Sequence, residues 1–406
     1  MRLCILGNAQ NSHVIRWAEF FSSRGHEVTI VSARPHELPG IQVYAPKLPF
    51  EDFLRRREIY DQNRAPNFAV YLSYILLALT VRRTVRRLSP DIVMAMTLET
   101  NGILAMIAGH HPTALYHLGN KALSVMSETS LVMRLLVKAM LRFSDMLHTG
   151  DSAGAARLRQ LGAPADKIFI NPWGVDLKQL HAEAGVAEVQ EHLGASGKKL
   201  FACIRAFMPE YDIATFLRAI PDIVYAYPDT AYAVIGDGPE RDKLTKLAEE
   251  LDIRDYVTFV GYVPYDTLPA YTLAADFYVD PINFRLPVGR TWWGHRMRCS
   301  MDGIGYSITL MLGLASGCIP LVTRRAGLSD IFSEEQQRLL LWEPGNPTDL
   351  AQKAKGLLAS HVDCQALRAS LTQMAEERFD WQLNADRIER EYLDKIREHA
   401  GSVLEP

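Results

Sequence analysis

The residues best suited to chemistry are a glycine-bracketed turn and a strand-end histidine. Gly236-Asp237-Gly238 follows the apolar run Tyr232 to Ile235, so the backbone can turn sharply where a buried parallel strand ends. Pro239 suits the first position of a helix, and Glu240 and Asp242 suit its first turn. Open α/β sheets bind ligands at such a turn, although the same turn would serve simply to start a helix. His117 ends another apolar run, Thr113 to Leu118, where a structural and a functional role both remain open. The polar turn Gly7-Asn8-Ala9-Gln10-Asn11-Ser12 closes the first apolar run, so amides opening the next helix can face an anion. That turn lacks G-x-G-x-x-G, the dinucleotide fingerprint. Arg285, Arg290, Arg296 and Arg298 fall in an irregular insert, residues 281–303.

These residues need a scaffold, and the alternation of short apolar runs with helical periods supplies one. Arg2 to Leu6, a helix over His13 to Arg24 and Glu27 to Ser32 make a βαβ opening, which implies a parallel sheet with right-handed crossovers. Strands follow at Pro90 to Met96, Thr113 to Leu118, Asp145 to Thr149 and Lys167 to Ile170. A polar, weakly periodic stretch, residues 178–197, reads as a domain boundary. A second series then runs Lys199 to Ile204, a helix over Ile213 to Tyr225, Tyr232 to Ile235, Tyr256 to Val260, Asp276 to Asp280, a helix over Ser307 to Ala315, and Ile319 to Thr323. One long helix from Phe379 to about His399 closes the chain. The expected organisation is α/β, with two Rossmann-like domains over 1–177 and 178–378 and a final helix over 379–406.

The chain has 406 residues, 48% hydrophobic and 22% charged, the composition of a soluble globular protein. A net charge of −3 gives no reason to expect nucleic acid as a partner. Cys4, Cys203, Cys299, Cys318 and Cys364 are scattered and odd in number, which argues against a disulfide framework or structural zinc and fits a reducing cytoplasm. No signal peptide is read at the N-terminus. Basic stretches at Arg55-Arg-Arg57, Arg82-Arg83 and Arg86-Arg87 flank the apolar run Phe68 to Val81, which is too short to span a bilayer. That segment reads as a core helix with a basic end, or as a surface helix touching anionic lipid at the inner membrane face.

Several short motifs, in order and covering nearly the whole chain, resemble the GT-B glycosyltransferases of family 4. They are Arg24-Gly-His-Glu-Val28, Asn171-Pro-Trp-Gly-Val-Asp176, Ile235-Gly-Asp-Gly-Pro239, Val257-Thr-Phe-Val-Gly261, Ala275-Asp276, Leu314-Ala-Ser-Gly-Cys-Ile-Pro320 and Phe379-Asp-Trp381. The resemblance implies two Rossmann-like domains facing a cleft, with the last helix crossing back to the first domain. It implies a retaining, metal-independent transferase with no cofactor and with a nucleotide-diphosphate sugar as co-substrate. Arg205 matches the family arginine that contacts the donor diphosphate, and Glu210 with Tyr211 matches a turn that usually carries lysine. Asp302, Gly303 and Ser307 fall at the start of the family's paired-glutamate signature, after which two residues are inserted around Gly305-Tyr306. Leu312 stands in the second glutamate position and cannot accept bonds from ribose hydroxyls.

His117 matches a family histidine near the sugar, and Gly7, Asn8 and His13 match the first loop facing the cleft. His13 would equally serve as a helix-start residue. The catalytic candidates are thus His117 and Arg205. The donor-binding candidates are Gly7, Asn8, Arg205, Glu210, Tyr211, Gly236, Gly238, Asp302, Gly303 and Ser307, with His13 on the acceptor side and no metal. The acceptor class is a glycan, a lipid-linked sugar or a small molecule. Two other readings stay open: a GT-B-shaped binding or assembly partner, motivated by Tyr211 and Leu312, and a sugar-nucleotide epimerase or coupling enzyme on the same fold.

Overall fold

The structure, a computed structural model, describes residues 1–32, 36–46, 68–116, 131–181, 185–283, 287–290, 296–298, 306–359 and 363–404. It divides into two compact units. Unit 1 comprises Met1–Asn171, Gly289–Gly303 and Ala385–Pro406, and unit 2 comprises Pro172–Val288 and Ile304–Asn384.

Unit 1 is built on a seven-stranded sheet of β1 (Arg2–Leu6), β2 (Glu27–Val31), β3 (Gln42–Tyr44), β4 (Ile92–Met96), β5 (Thr113–Tyr116), β6 (Met146–Thr149) and β7 (Ile168–Ile170). Its order is β3-β2-β1-β4-β5-β6-β7. Every pairing is parallel, and Leu6 lies beside both Val31 and Ala95. Both sheet faces are covered, which is why β4 is buried at all five positions. One face meets α1 (Ser12–Ser23), whose Val14, Trp17, Ala18 and Phe21 recur at the helical period. The other face carries α2 (Phe68–Leu88), α3 (Ile103–Ala108), α4 (Leu131–Phe143) and α5 (Ser152–Gln160). The apolar run after Phe68 is therefore part of α2, whose Ala78, Val81 and Val85 are buried in the unit's core. No helix among the described residues is long and apolar enough to cross a membrane.

The first α-helix of unit 2 is α6 (Val186–His192), a short helix inside the stretch read from sequence as a boundary. Chain contacts place the division earlier, between Asn171 and Pro172. Val175 explains this: it pairs with Asp380, and its amide donates to the Phe379 carbonyl at 2.7 Å, which ties the linker into unit 2. The sheet consists of β8 (Lys199–Ile204), β9 (Thr230–Ile235), β10 (Val257–Gly261), β11 (Phe277–Asp280), β14 (Ile319–Thr323) and β15 (Leu341–Trp342). Its order is β10-β9-β8-β11-β14-β15, again parallel throughout. Phe201 stacks on Tyr232 and on Phe277, an aromatic row across three neighbouring strands. The insert expected to be irregular contains a two-stranded sheet, β12 (Pro287–Arg290) with β13 (Arg296–Arg298).

The remaining helices of unit 2 are α7 (Ile213–Ala226), α8 (Arg241–Glu250), α9 (Leu268–Ala274), α10 (Ile308–Ala315), α11 (Glu334–Leu340), α12 (Pro347–Leu358) and α13 (Cys364–Phe379). The last helix, α14 (Trp381–Leu404), starts two residues after Phe379 because Asp380 is extended and caps it, accepting from the Leu383 amide at 3.1 Å. From Ala385 onward α14 belongs to unit 1. There Tyr392 is fully buried against Phe21, while Glu389 accepts from Arg24 and pairs with His26 at 2.6 Å.

Candidate active site

In a doubly wound sheet the strand order reverses at one point, and the crevice beyond the carboxyl ends of the strands there is the usual ligand site. In unit 2 that point lies between β8 and β11. Arg205 follows β8 directly and Asp280 ends β11, so topology alone brings them together. Arg205 Nε donates to Asp280 Oδ1 at 2.8 Å, and Nη2 donates to the same oxygen at 2.5 Å and to Ser307 Oγ at 2.6 Å. No described residue accepts from Nη1. Tyr211 lies with its ring 5.2 Å from the Arg205 guanidinium carbon. The position that carries lysine in the resembled family thus holds an aromatic face against the arginine, where a cation–π contact is favourable.

Asp280 is fully buried and serves a second guanidinium, accepting from Arg325 Nη2 at 2.8 Å. Arg325 lies two residues beyond β14 and is itself buried. Burial opposes the Asp280 charge, but Arg205 and Arg325 outweigh it and hold the carboxyl below the usual carboxylate range. Burial likewise opposes the Arg205 charge. Asp280, with smaller contributions from Tyr278 and Tyr211, reverses that and keeps the guanidinium charged at every accessible pH. Asp280 and Arg325 carry no motif in the sequence. The only signal was the position of Asp280 at a strand end.

The glycine turn serves this arrangement rather than opening a helix directly. α8 starts at Arg241, so Pro239 and Glu240 belong to the turn and not to the first helical positions. Gly236 has φ +138° and Gly238 has φ +155°. A Cβ on Gly236 would lie 1.9 Å from the Arg205 carbonyl oxygen, and one on Gly238 would lie 2.7 Å from that of Phe207. Backbone bonds from Arg205 to Ile235 and from Phe207 to Asp237, each 2.9 Å, seat the Arg205 loop on this turn. Ser307 is the N-cap of α10: its Oγ accepts from the Leu310 amide at 3.1 Å while also accepting from Arg205. Glu210 is buried in the short turn before Asp212, and its carbonyl accepts from the Asn283 amide at 3.0 Å. Leu312 is 2% exposed within α10, part of the interior rather than of any open surface.

Unit 1 offers its own reversal point, between β1 and β4. Gly7 follows β1, and a Cβ there would lie 2.8 Å from Val14 Cγ2, so glycine lets α1 pack closely on the loop. Asn8 Oδ1 accepts from the Gln10 amide at 3.1 Å, a local turn bond, and the residue is exposed. Beside this loop, Thr97 after β4 adopts φ +76°, a costly conformation for a β-branched residue, and its Oγ1 accepts from Asn101 Nδ2 at 3.2 Å. The sequence gives no hint of that strained residue. His117, Asp302, Gly303 and Arg285 lie outside the described residues, as do the side chains of Arg290, Arg296 and Arg298.

His13 sits in the first turn of α1, its amide donating to Asn11 Oδ1 at 2.8 Å. Burial, helped by Arg16, lowers its pKa to about 4, so the ring is neutral at pH 7 and can exchange hydrogen bonds but offers no charge. The unfolded chain, with an ordinary histidine, takes up the proton first as pH falls. His13 therefore contributes nothing adverse above pH 6.5 and costs stability progressively between there and about 4. Allowing for partial exposure of the ring, the expected loss is about 1–2 kcal/mol. Urea midpoints at neutral pH and near the lower end of that window should show it, and His13→Gln should remove that part of the slope.

Residues 187–378 match the family described as Glycosyl transferases group 1, and residues 2–150 match Glycosyl transferase 4-like. The GDP-mannose-dependent alpha-(1-6)-phosphatidylinositol monomannoside mannosyltransferase of Mycolicibacterium smegmatis is 27% identical over 173 residues, which span 42% of this chain and 42% of that relative. The phosphatidyl-myo-inositol mannosyltransferase of the same organism is 22% identical over 392 residues, 94% of this chain and 89% of the relative. Among solved structures, Anabaena HepE in complex with UDP superposes with TM-score 0.71 at 14% identity, covering 97% of this chain and 100% of that one. Sucrose-phosphate synthase from Thermosynechococcus elongatus gives TM-score 0.72 at 15% identity, covering 97% and 98%. With two parallel-sheet Rossmann-like units and both halves matched in order, the chain belongs to the family 4 glycosyltransferases of GT-B fold.

Proposed function

We propose that this protein transfers a sugar from a nucleotide-diphosphate sugar to an acceptor hydroxyl, with retention of anomeric configuration and without a metal ion. The observation that carries the reading is the Arg205–Asp280–Ser307 cluster at the reversal point of the second sheet. A departing nucleoside diphosphate develops negative charge, and preorganised donors that need no rearrangement stabilise such charge best. Arg205 is held by Asp280, keeps Nη1 unused by any described residue, and lies at the N-terminus of α10, whose first amides add to the positive field. Metal independence is supported by this supply of fixed cation.

In this reading the diphosphate leaves toward Arg205, and one of its oxygens takes the proton of the incoming hydroxyl on the same face of the sugar. No separate carboxylate base is then needed. His117 contacts the sugar, and the acceptor, a glycan, a lipid-linked sugar or a small molecule, is held by unit 1. The relatives named for mannosyl transfer and the solved neighbour holding UDP are consistent with a nucleotide-sugar donor.

Leu312 favours a second reading. A buried leucine stands where the resembled family has a carboxylate, so the ribose is either held by other groups or not held at all. In the latter case the protein is a binding or assembly partner. Calorimetric titration of the whole chain with UDP, GDP and ADP separates the two. Saturable binding of one nucleotide is expected, and no heat from any of them at millimolar concentration would leave the partner reading standing.

A further inference from the structure

We infer that the helical face of unit 1 formed by α2 and α4 is a docking surface for an anionic lipid bilayer. The inference does not depend on the transferase reading.

Helices α2, α4 and α5 together contain nine arginines and lysines and no aspartate or glutamate, in a chain whose formal net charge is −3. These three helices are thus strongly net positive in a chain that is net negative overall. The buried sides of α2 and α4 enter the same core cluster, with Val81 and Val85 from α2 and Val137 and Met140 from α4. The sheet residues in that cluster, among them Leu6, Ala95, Leu115 and Leu147, are in register across adjacent strands. Both helices therefore lie on the same side of the sheet and turn their outer faces the same way.

The outer faces combine charge with apolar bulk. On α4, Leu131 is 70% and Leu135 59% exposed, and Arg134, Lys138 and Arg142 fall on the same arc of the helix. On α2, Leu79 is 44% exposed and shares its arc with Arg83, Arg86 and Arg87. None of these six basic residues forms an ion pair among the described residues. Near the layer, Asp91 is engaged by Arg2 and Asp145 by His111, and Asp166 is exposed beyond the end of α5.

Leucines between basic side chains suit the boundary between headgroups and acyl chains, where the apolar groups insert and the cations reach lipid phosphates. A second copy of the chain would bring like charges together on this face, and a polyanion without an apolar layer would leave the leucines in water.

Co-sedimentation of the whole chain with vesicles of phosphatidylglycerol in phosphatidylcholine, against pure phosphatidylcholine, tests this. Binding to the anionic vesicles only, falling steeply with added salt, is expected. The triple variant Arg134→Glu, Lys138→Glu, Arg142→Glu should lower the partition coefficient by about 100-fold or more. Leu131→Gln with Leu135→Gln should lower it by about 10-fold while preserving the salt dependence. All these positions are exposed, so thermal midpoints should match the parent. Absence of wild-type binding to anionic vesicles, equal binding to neutral ones, or parent-like binding by the charge-reversed variant each overturns the inference. So does a leucine variant that dissociates a dimer in sedimentation velocity and leaves vesicle binding unchanged.

Discussion

Replacing Asp280 with asparagine should lower the unfolding free energy by about 3–5 kcal/mol, read from denaturant midpoints with the slope unchanged. The side chain is fully buried and is shared by Arg205 and Arg325. Asparagine keeps the shape but removes the buried negative charge that the buried Arg325 and the largely buried Arg205 share. The pH dependence carries the same signature. The folded-state pKa of Asp280 lies below its ordinary value, so its contribution is complete above the ordinary carboxylate range and is lost as pH falls through it. The variant should therefore show a flatter acid limb than the parent. A change of under about 1 kcal/mol would mean that the site relaxes to admit water, and the rigid picture of the cluster would fail.

Arg205→Lys should cost about 100- to 1,000-fold in kcat, the scale for losing one preorganised donor at a developing oxyanion. Lysine retains the charge but not the planar fork, so it cannot reach Asp280 Oδ1 and Ser307 Oγ together as Nη2 now does. Lysine is a better probe than alanine. Because Arg205 is paired with a buried carboxylate, alanine would impair folding as well as turnover, and the two losses could not be separated. The measurement is single-turnover transfer with the donor whose nucleotide binds, alongside an unfolding curve for the same variant. Unimpaired kcat in a folded Arg205→Lys protein would remove this residue from the chemistry.

The two sheets were legible because their strands are short apolar runs separated by helical periods, and a strand buried on both faces, such as β4, needs no alternation to be seen. Arg205 was legible only through resemblance, and its partners were not. Asp280 and Arg325 lie 75 and 120 residues from it in sequence, and nothing local foretells that β11 inserts between β8 and β14. Pro239 suits a first helical position by residue type, yet it lies outside the helix. The turn at Gly238-Pro239 is filled by the backbone of Phe207, so α8 cannot begin until Arg241. Tyr211 read as a lost cation, yet the fold sets its ring against the remaining one. The strain at Thr97 was invisible for another reason: no residue type announces a left-handed conformation imposed by neighbours.

The return of α14 to the first unit has a bearing on biosynthesis. Tyr392, with no exposed surface, completes the aromatic layer begun by Trp17 and Phe21. A ribosome delivers those partners hundreds of codons apart, so the half translated first must wait, its indole and phenyl groups uncovered, until nearly all of the rest has emerged. Nascent chains halted before that segment are natural clients for chaperones, and a premature stop near the end would harm the part made earliest.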